Sequence, residues 1–327
     1  MKLALCVIGC GQFAQTFAQE IAPLRDRVDL LFASRDLAKA RDYQERFQGK
    51  GCYGSYEAAF ADPRVEAVYI CTPNHLHCEH VTLAARKGKH LLVEKPMART
   101  LEEGRTIIAE ARRARTTLMV AENFHFMAAV QRCKELVDNG IIGDLRLIQL
   151  QEQSPFIPGT WRSNRQLNGG GVFIDGGVHK VHFLRLLAGE PASIYAAALP
   201  HGLSGFQGED GLVMMCRWQS GTVGIINHSW TNSRRPQPAW VSVEGTRGRI
   251  YFEIGAPWLR VEKGNSEQTL QLDEDHQGLT GMVEDFLDSI RQQRTPLVSG
   301  DDGVRDLALV LKAYESMNSG ESIAMGD

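Results

Sequence analysis

The sequence predicts an α/β protein: an N-terminal doubly wound parallel sheet, followed by a C-terminal α+β domain with a largely antiparallel, open sheet. Three observations predict it. The chain opens on an apolar run, Leu3–Ile8, followed at once by Gly9-Cys10-Gly11-Gln12-Phe13-Ala14, a G-x-G-x-x-A turn between a strand and a helix. Strand and helix signals then alternate to about residue 122, the pattern of a parallel sheet with crossover helices. Beyond it, runs of period-two alternation separated by glycine turns take over.

The elements follow in order. Leu3–Ile8 reads as a strand and Phe13–Ile21 as a helix, Val28–Ser34 as a strand and Leu37–Phe47 as a helix. Val65–Cys71 is a third strand, Glu79–Lys87 a helix, His90–Val93 a strand, Leu101–Arg113 a helix and Thr117–Ala121 a strand. After a helix over Ala128–Asn139, strands are expected near Leu145–Gln153, Ile194–Ala198, Leu212–Trp218, Thr222–Trp230, Trp240–Glu244 and Arg249–Glu253. Two helices close the chain, Leu279–Gln292 and Gly303–Ser316. This divides it into a dinucleotide-binding domain of the Rossmann type, 1–122, and a substrate-binding and oligomerisation domain, 123–327, whose last helices can pack back on the first domain.

Bulk properties narrow the function classes. The 327 residues suffice for two cores. Hydrophobic and charged fractions of 43% and 23% are those of globular domains, which sets disorder aside. A net charge of −3 offers no footprint for nucleic acid or an anionic membrane, so neither is an expected partner. Met1-Lys2 and the apolar residues after it outline a lipoprotein signal, but the stretch is very short and runs straight into the glycine turn. Seven scattered cysteines without C-x-x-C fit a reducing cytoplasm, the expected compartment.

The opening turn suits a pyrophosphate. Gly9 permits the tight turn, Gly11 lets the backbone come close, and Ala14 lets helix and strand pack tightly. The helix then offers free N–H groups, from Gln12 and Phe13 onward, to the phosphates. The second strand ends on Ser34-Arg35 rather than on an acid for a ribose diol, and a guanidinium can grip a 2′-phosphate in bidentate fashion. The expected cofactor is therefore NADP or NAD, with NADP favoured. Asp36 fits as the N-cap of the next helix.

Cys71-Thr72-Pro73-Asn74-His75-Leu76-His77-Cys78-Glu79-His80 is dense in metal-binding side chains but matches no closed zinc spacing. It sits at the carboxyl edge of a strand, where Thr72, Pro73, Asn74 and His77 are expected to contact the cofactor; no metal is expected. Glu94-Lys95-Pro96 ends the next strand, and Lys95 there can place a point charge beside a reacting oxygen. In Gly169-Gly170-Gly171-Val172-Phe173-Ile174-Asp175-Gly176-Gly177-Val178-His179, Asp175 and His179 are spaced to share a helix face. The glycines leave room for a backbone or a ligand. An imidazole beside a carboxylate suits proton transfer near neutrality.

These motifs in this order resemble the glucose–fructose oxidoreductase, inositol dehydrogenase and rhizopine-catabolism (Gfo/Idh/MocA) family over nearly the whole chain. Trp161-Arg162, Gly208-Glu209-Asp210 and Gly245-Thr246-Arg247-Gly248 extend the likeness. The resemblance implies Lys95 and His179 as a catalytic pair with Asp175 beside them, and Glu94 and Asn123 near the nicotinamide end. His125, Trp161 and Arg162 are possible substrate contacts. Two positions depart from the family pattern. His182 stands where an Asp is frequent, and Asn164 where an acid is frequent.

The function implied is an NAD(P)-dependent hydride transfer between the nicotinamide and a secondary alcohol or ketone of a sugar, sugar derivative or cyclitol. Two alternatives accompany it: a glycoside-cleaving enzyme using transient oxidation, and a cofactor-sensing regulator. A homodimer or homotetramer through the C-terminal sheet is also implied. Phe124, Phe156, Trp161 and Trp230 can stack on a sugar face, but ordinary core or dimer-interface packing is the simpler expectation.

Overall fold

A computed structural model describes residues 2–157, 159–233, 237–273 and 277–326. The chain forms two compact units, residues 1–123 with 279–305, and residues 124–278 with 306–327.

The first unit alternates β1 (Leu3–Ile8), α1 (Gln12–Glu20), β2 (Val28–Ala33), α2 (Leu37–Arg46), β3 (Gly51–Tyr53), α3 (Tyr56–Ala61), β4 (Ala67–Ile70), α4 (His77–Arg86), β5 (His90–Glu94), α5 (Leu101–Ala114) and β6 (Leu118–Ala121). The strands pair in parallel in the order β3-β2-β1-β4-β5-β6. β1 and β4 are apolar and mostly buried, as strands covered by helices on both faces must be. The order reverses between β1 and β4, which opens a crevice at their carboxyl ends.

Local chemistry starts the helices. Asp36 caps α2 by accepting from the Ala38 and Lys39 amides, Ser55 caps α3, and Thr100 caps α5. The sequence reading passed over β3 and α3. Three half-buried residues and a six-residue helix are too short to show a period.

The second unit contains α6 (Ala128–Asp138), β7 (Leu145–Pro155), the short α7 (Arg165–Asn168), and a π-turn (Phe173–Gly177) running into α8 (Val178–Ala188). There follow β8 (Ser193–Ala198), β9 (Gly211–Arg217), β10 (Val223–Thr231), β11 (Gln237–Gly245), β12 (Arg249–Glu253), β13 (Trp258–Lys263) and β14 (Ser266–Gln271). Then come α9 (Leu279–Gln292), which belongs to the first unit, α10 (Gly300–Ser319) and β15 (Ile323–Ala324). Nine strands form one sheet in the order β14-β13-β12-β11-β7-β10-β9-β8-β15. All pairs are antiparallel except β7 with β10.

One face of this sheet buries Ile148, Leu150, Leu212, Met214, Ile226, Val241 and Phe252. Its other face leaves Tyr195 and Met215 at 41% and 47% exposure. β14 was not expected, because it is polar and exposed along its length and carries no alternation. Among the described residues no helix is long and apolar enough to cross a membrane.

Candidate active site

In the first unit the motif residues gather at the carboxyl edge of neighbouring strands: Gly9 after β1, Thr72-Pro73-Asn74 after β4, Glu94-Lys95 at the end of β5 and Asn123 after β6. The two glycines of the opening turn have different reasons. Gly9 sits at φ +102°, and a Cβ there would lie 2.8 Å from the Cys71 carbonyl oxygen, so the fold itself requires glycine. At Gly11 a Cβ would meet nothing within 4 Å. No side chain caps α1, whose N-terminus begins at Gln12 and Phe13 beside that open space. A dinucleotide fits this edge: the space at Gly11 is what a pyrophosphate needs, and no contact within the chain accounts for it.

Ser34 is buried and its hydroxyl accepts from the Asp36 amide at 3.2 Å, while Arg35 is exposed. Burial first, then the charges of Arg99 and Arg35, push the His75 imidazole below its usual range. Arg99 is itself ion-paired with Glu103.

His77 was expected to touch the cofactor, and its ring does not have the access. It is fully buried, with its nitrogens 2.9 Å from the Pro96 carbonyl and 2.8 Å from the Thr72 carbonyl. Burial lowers the imidazole to about 4, against the two carbonyls, which raise it; held between them, the ring braces two loops. His80 is likewise spent on the Thr72 hydroxyl at 3.0 Å. Glu94 is buried and accepts a hydrogen bond from the Tyr69 hydroxyl.

In the second unit, Asp175 and His179 are both buried, on the π-turn and the first turn of α8. Arg162 donates from Nε to Asp175 Oδ2 at 2.8 Å, and its guanidinium lies 4.7 Å from the Trp161 ring centre. His179 stacks on Phe124, ring centres 4.1 Å apart at 12°. Asn164, one of the two departures, caps α7 by accepting from the Gln166 and Leu167 amides, both at 3.0 Å. The other, His182, joins a buried chain. Its Nδ1 lies 2.9 Å from Asp306 Oδ2, its Nε2 lies 2.9 Å from His125 Nδ1, and Arg185 donates to Asp306 Oδ1 at 2.6 Å.

Phe156, Phe206 and Trp230 pack on one another, the first and last stacked at 4.6 Å, which matches the simpler expectation for them.

Several participants escaped the sequence reading. Lys180, next to His179, forms a buried ion pair with Glu152 and donates to the Gly176 carbonyl at 3.1 Å. Burial alone would raise Glu152, but Lys180 and His228 hold its carboxyl well below the usual range. His228 is itself buried under Gly176, and burial followed by Lys180 lowers it to about 3. Glu209 and Tyr314 lie against the glycine run. Glu209 stands in the Gly208-Glu209-Asp210 motif, which carried no role of its own; Glu152, His228 and Tyr314 come from strands and a helix with no motif.

Comparison with known proteins agrees with this fold. Residues 3–122 match a family model described as an oxidoreductase family with an NAD-binding Rossmann fold, and residues 130–251 match the GFO/IDH/MocA C-terminal domain. The chain is 32% identical to 1,5-anhydro-D-fructose reductase of Ensifer adhaerens over 279 residues, 82% of each chain. It is 26% identical to myo-inositol 2-dehydrogenase of Thermotoga maritima over 98% of this chain and 97% of that one. Among solved structures, aldose-aldose oxidoreductase from Caulobacter crescentus, complexed with glycerol, superposes with a TM-score of 0.91 at 25% identity, covering 99% and 100% of the two chains. Levoglucosan dehydrogenase in complex with NADH has the same fold, with a TM-score of 0.91 at 22% identity over all of both chains.

Proposed function

Since the chain belongs to the Gfo/Idh/MocA family of NAD(P)-dependent oxidoreductases, we propose that it interconverts a secondary alcohol and a ketone on a sugar, sugar derivative or cyclitol. The observation that carries the reading is the Asp175–His179 turn, a buried carboxylate held by Arg162 four residues before a buried imidazole stacked on Phe124. The other unit offers Lys95 at its ligand edge.

When bound, the nicotinamide accepts or supplies the hydride. In oxidation His179 takes the hydroxyl proton, and in reduction it returns it. Lys95 stabilises the negative charge that gathers on the reacting oxygen. Asp175, tied to Arg162, orients the site around the imidazole. The relatives are named as dehydrogenases and reductases, which favours net redox chemistry over glycoside cleavage or regulation.

NADP is the preferred cofactor in this reading, supported by the exposed Arg35 and by the missing acid at the end of β2. The half-exposed apolar face bearing Tyr195 and Met215 supports a homodimer or homotetramer through the sheet. The absence of disulfides among the described residues supports a reducing cytoplasm.

The test is a panel of myo-inositol, D-xylose, D-glucose, levoglucosan and 1,5-anhydro-D-fructose, each with both cofactors and followed at the nicotinamide absorbance. Turnover is expected with at least one, faster with NADP(H), and Arg35→Ala should erase that preference by about tenfold. Cofactor binding without turnover of any sugar or polyol would defeat the reading.

A further inference from the structure

The helix that carries Asp175 and His179 begins at Val172, and its first N–H groups have no carbonyl one turn earlier to bond. Four consecutive amides face this problem, and two residues solve it for all four. Gly171 and Ile174 donate to the Tyr314 hydroxyl at 3.1 and 3.0 Å. Val172 donates to the Glu209 carbonyl and Phe173 to Glu209 Oε1, each at 2.8 Å. Tyr314 then donates its own proton to Glu209 Oε1 at 2.8 Å, which closes the network.

The glycines answer to this network and not to a ligand. A Cβ on Gly170 would lie 2.5 Å from the Tyr314 hydroxyl, and one on Gly171 would lie 2.1 Å from both the carbonyl and Oε2 of Glu209. A Cβ on Gly208 would lie 2.4 Å from the Gly170 carbonyl. Glycine is thus required on both sides of the contact.

An ordinary N-cap ties a helix to the residue just before it. Here the tie runs to the segment before β9 and to α10, so the start of the helix is fixed to the body of its unit. Glu209 also sets a carboxylate at the positive end of the helix dipole.

We propose that Glu209 and Tyr314 are positioning residues: together they cap the helix bearing Asp175 and His179 and set where those two side chains stand. This rests on the assignment of Asp175 and His179 given above. Around Glu209 the facing groups are Tyr314 from α10, the Phe173 amide from the π-turn and the Arg165 charge from α7. Burial raises its carboxyl to about 7 despite them. The cap therefore changes charge near neutrality, a second handle on it.

Tyr314→Phe deletes one acceptor and leaves the ring in place. With the fastest alcohol of the panel, kcat should fall tenfold or more, up to roughly a hundredfold, as expected for a misplaced catalytic group. KM and NAD(P) affinity should stay within about threefold. Hydrogen exchange at the amides of 171–174 should quicken. Glu209→Ala should act like Tyr314→Phe. Glu209→Gln keeps the Oε1 acceptor, so it should stay within about threefold of the parent rate and lose the pH-rate limb near 7.

His179→Ala separates the two readings. If it keeps the full rate, the site assignment fails whatever the cap does. If it loses the rate while Tyr314→Phe or Glu209→Ala keeps both kcat and the parent exchange pattern, the cap proposal is overturned, as it is if Gln and Ala at 209 fall alike. Should a variant not fold, exchange in the unaltered protein decides: amides 171–174 as labile as loop amides overturn the proposal, and protection equal to the middle of α8 supports it.

Discussion

The two units hold their motif residues by different means. The first works with backbone: a positive φ at Gly9, an open position at Gly11, an uncapped helix start and strand ends in register. The second works with networks of buried side chains. Arg162 holds Asp175, Asp306 and His125 hold His182, Lys180 holds Glu152, and Glu209 with Tyr314 holds the helix that carries the imidazole. The contrast teaches where variation can enter. A backbone cradle grips the parts every dinucleotide shares. A lattice of polar side chains can be rewired, because each member depends on partners distant in the chain, as His182 depends on Asp306 from α10.

The largest expected effects test whether both units supply the chemistry. Lys95→Ala and His179→Ala should each lower kcat by roughly 10²–10⁴-fold while NAD(P) still binds within about threefold, measured by steady-state kinetics and fluorescence titration. Near-parent rates in both would leave the second unit's network without a catalytic purpose.

The two glycines of the opening turn come next. Gly9→Ala is expected to cost stability and cofactor affinity together, because the new methyl group meets the Cys71 carbonyl at 2.8 Å in a left-handed conformation. Gly11→Ala should leave Tm within about 2 °C of the parent, since nothing in the chain lies within 4 Å of the added carbon, and yet weaken NAD(P) binding about tenfold or more. Equal losses of Tm at both positions, seen by calorimetry, would remove the case for a ligand-shaped gap at Gly11.

The smallest effect belongs to the second unit. Glu209 has its folded pKa raised, from 4.5 to about 7, so its contribution is fully present below the ordinary carboxyl range and is lost as pH rises through 7. Glu209→Gln escapes that loss. Its Tm should match the parent near pH 4 and exceed it by pH 8.5, with the gap bounded by about 3 kcal/mol at ~1.36 kcal/mol per pKa unit. A gap that does not change with pH would show that burial leaves this carboxyl where it is in the unfolded chain.

Much of the molecule was legible from residue order. The parallel unit declares itself through apolar runs, capping residues such as Asp36, and a glycine turn whose spacing reports the phosphate loop. Asp175 and His179 were legible because one helical turn separates them. The meaning of Gly170 and Gly171 was not legible, since the side chains that need the room, Tyr314 and Glu209, stand far away in the chain. α8 showed no stripe because eight of its eleven residues are buried, so no polar face marks its period.

Sequence alone determined what depends on near neighbours: which strands are apolar, where helices start, where the glycine turn falls between β1 and α1, and which nucleophile- and base-like groups exist. Tertiary structure decided what each polar group is spent on. It turned His77 from a cofactor ligand into a brace, Asn164 into a cap and His182 into the middle of a buried chain. The reason is physical. A buried donor or acceptor must find a partner within about 3 Å, and folding brings together residues that sequence spacing keeps far apart.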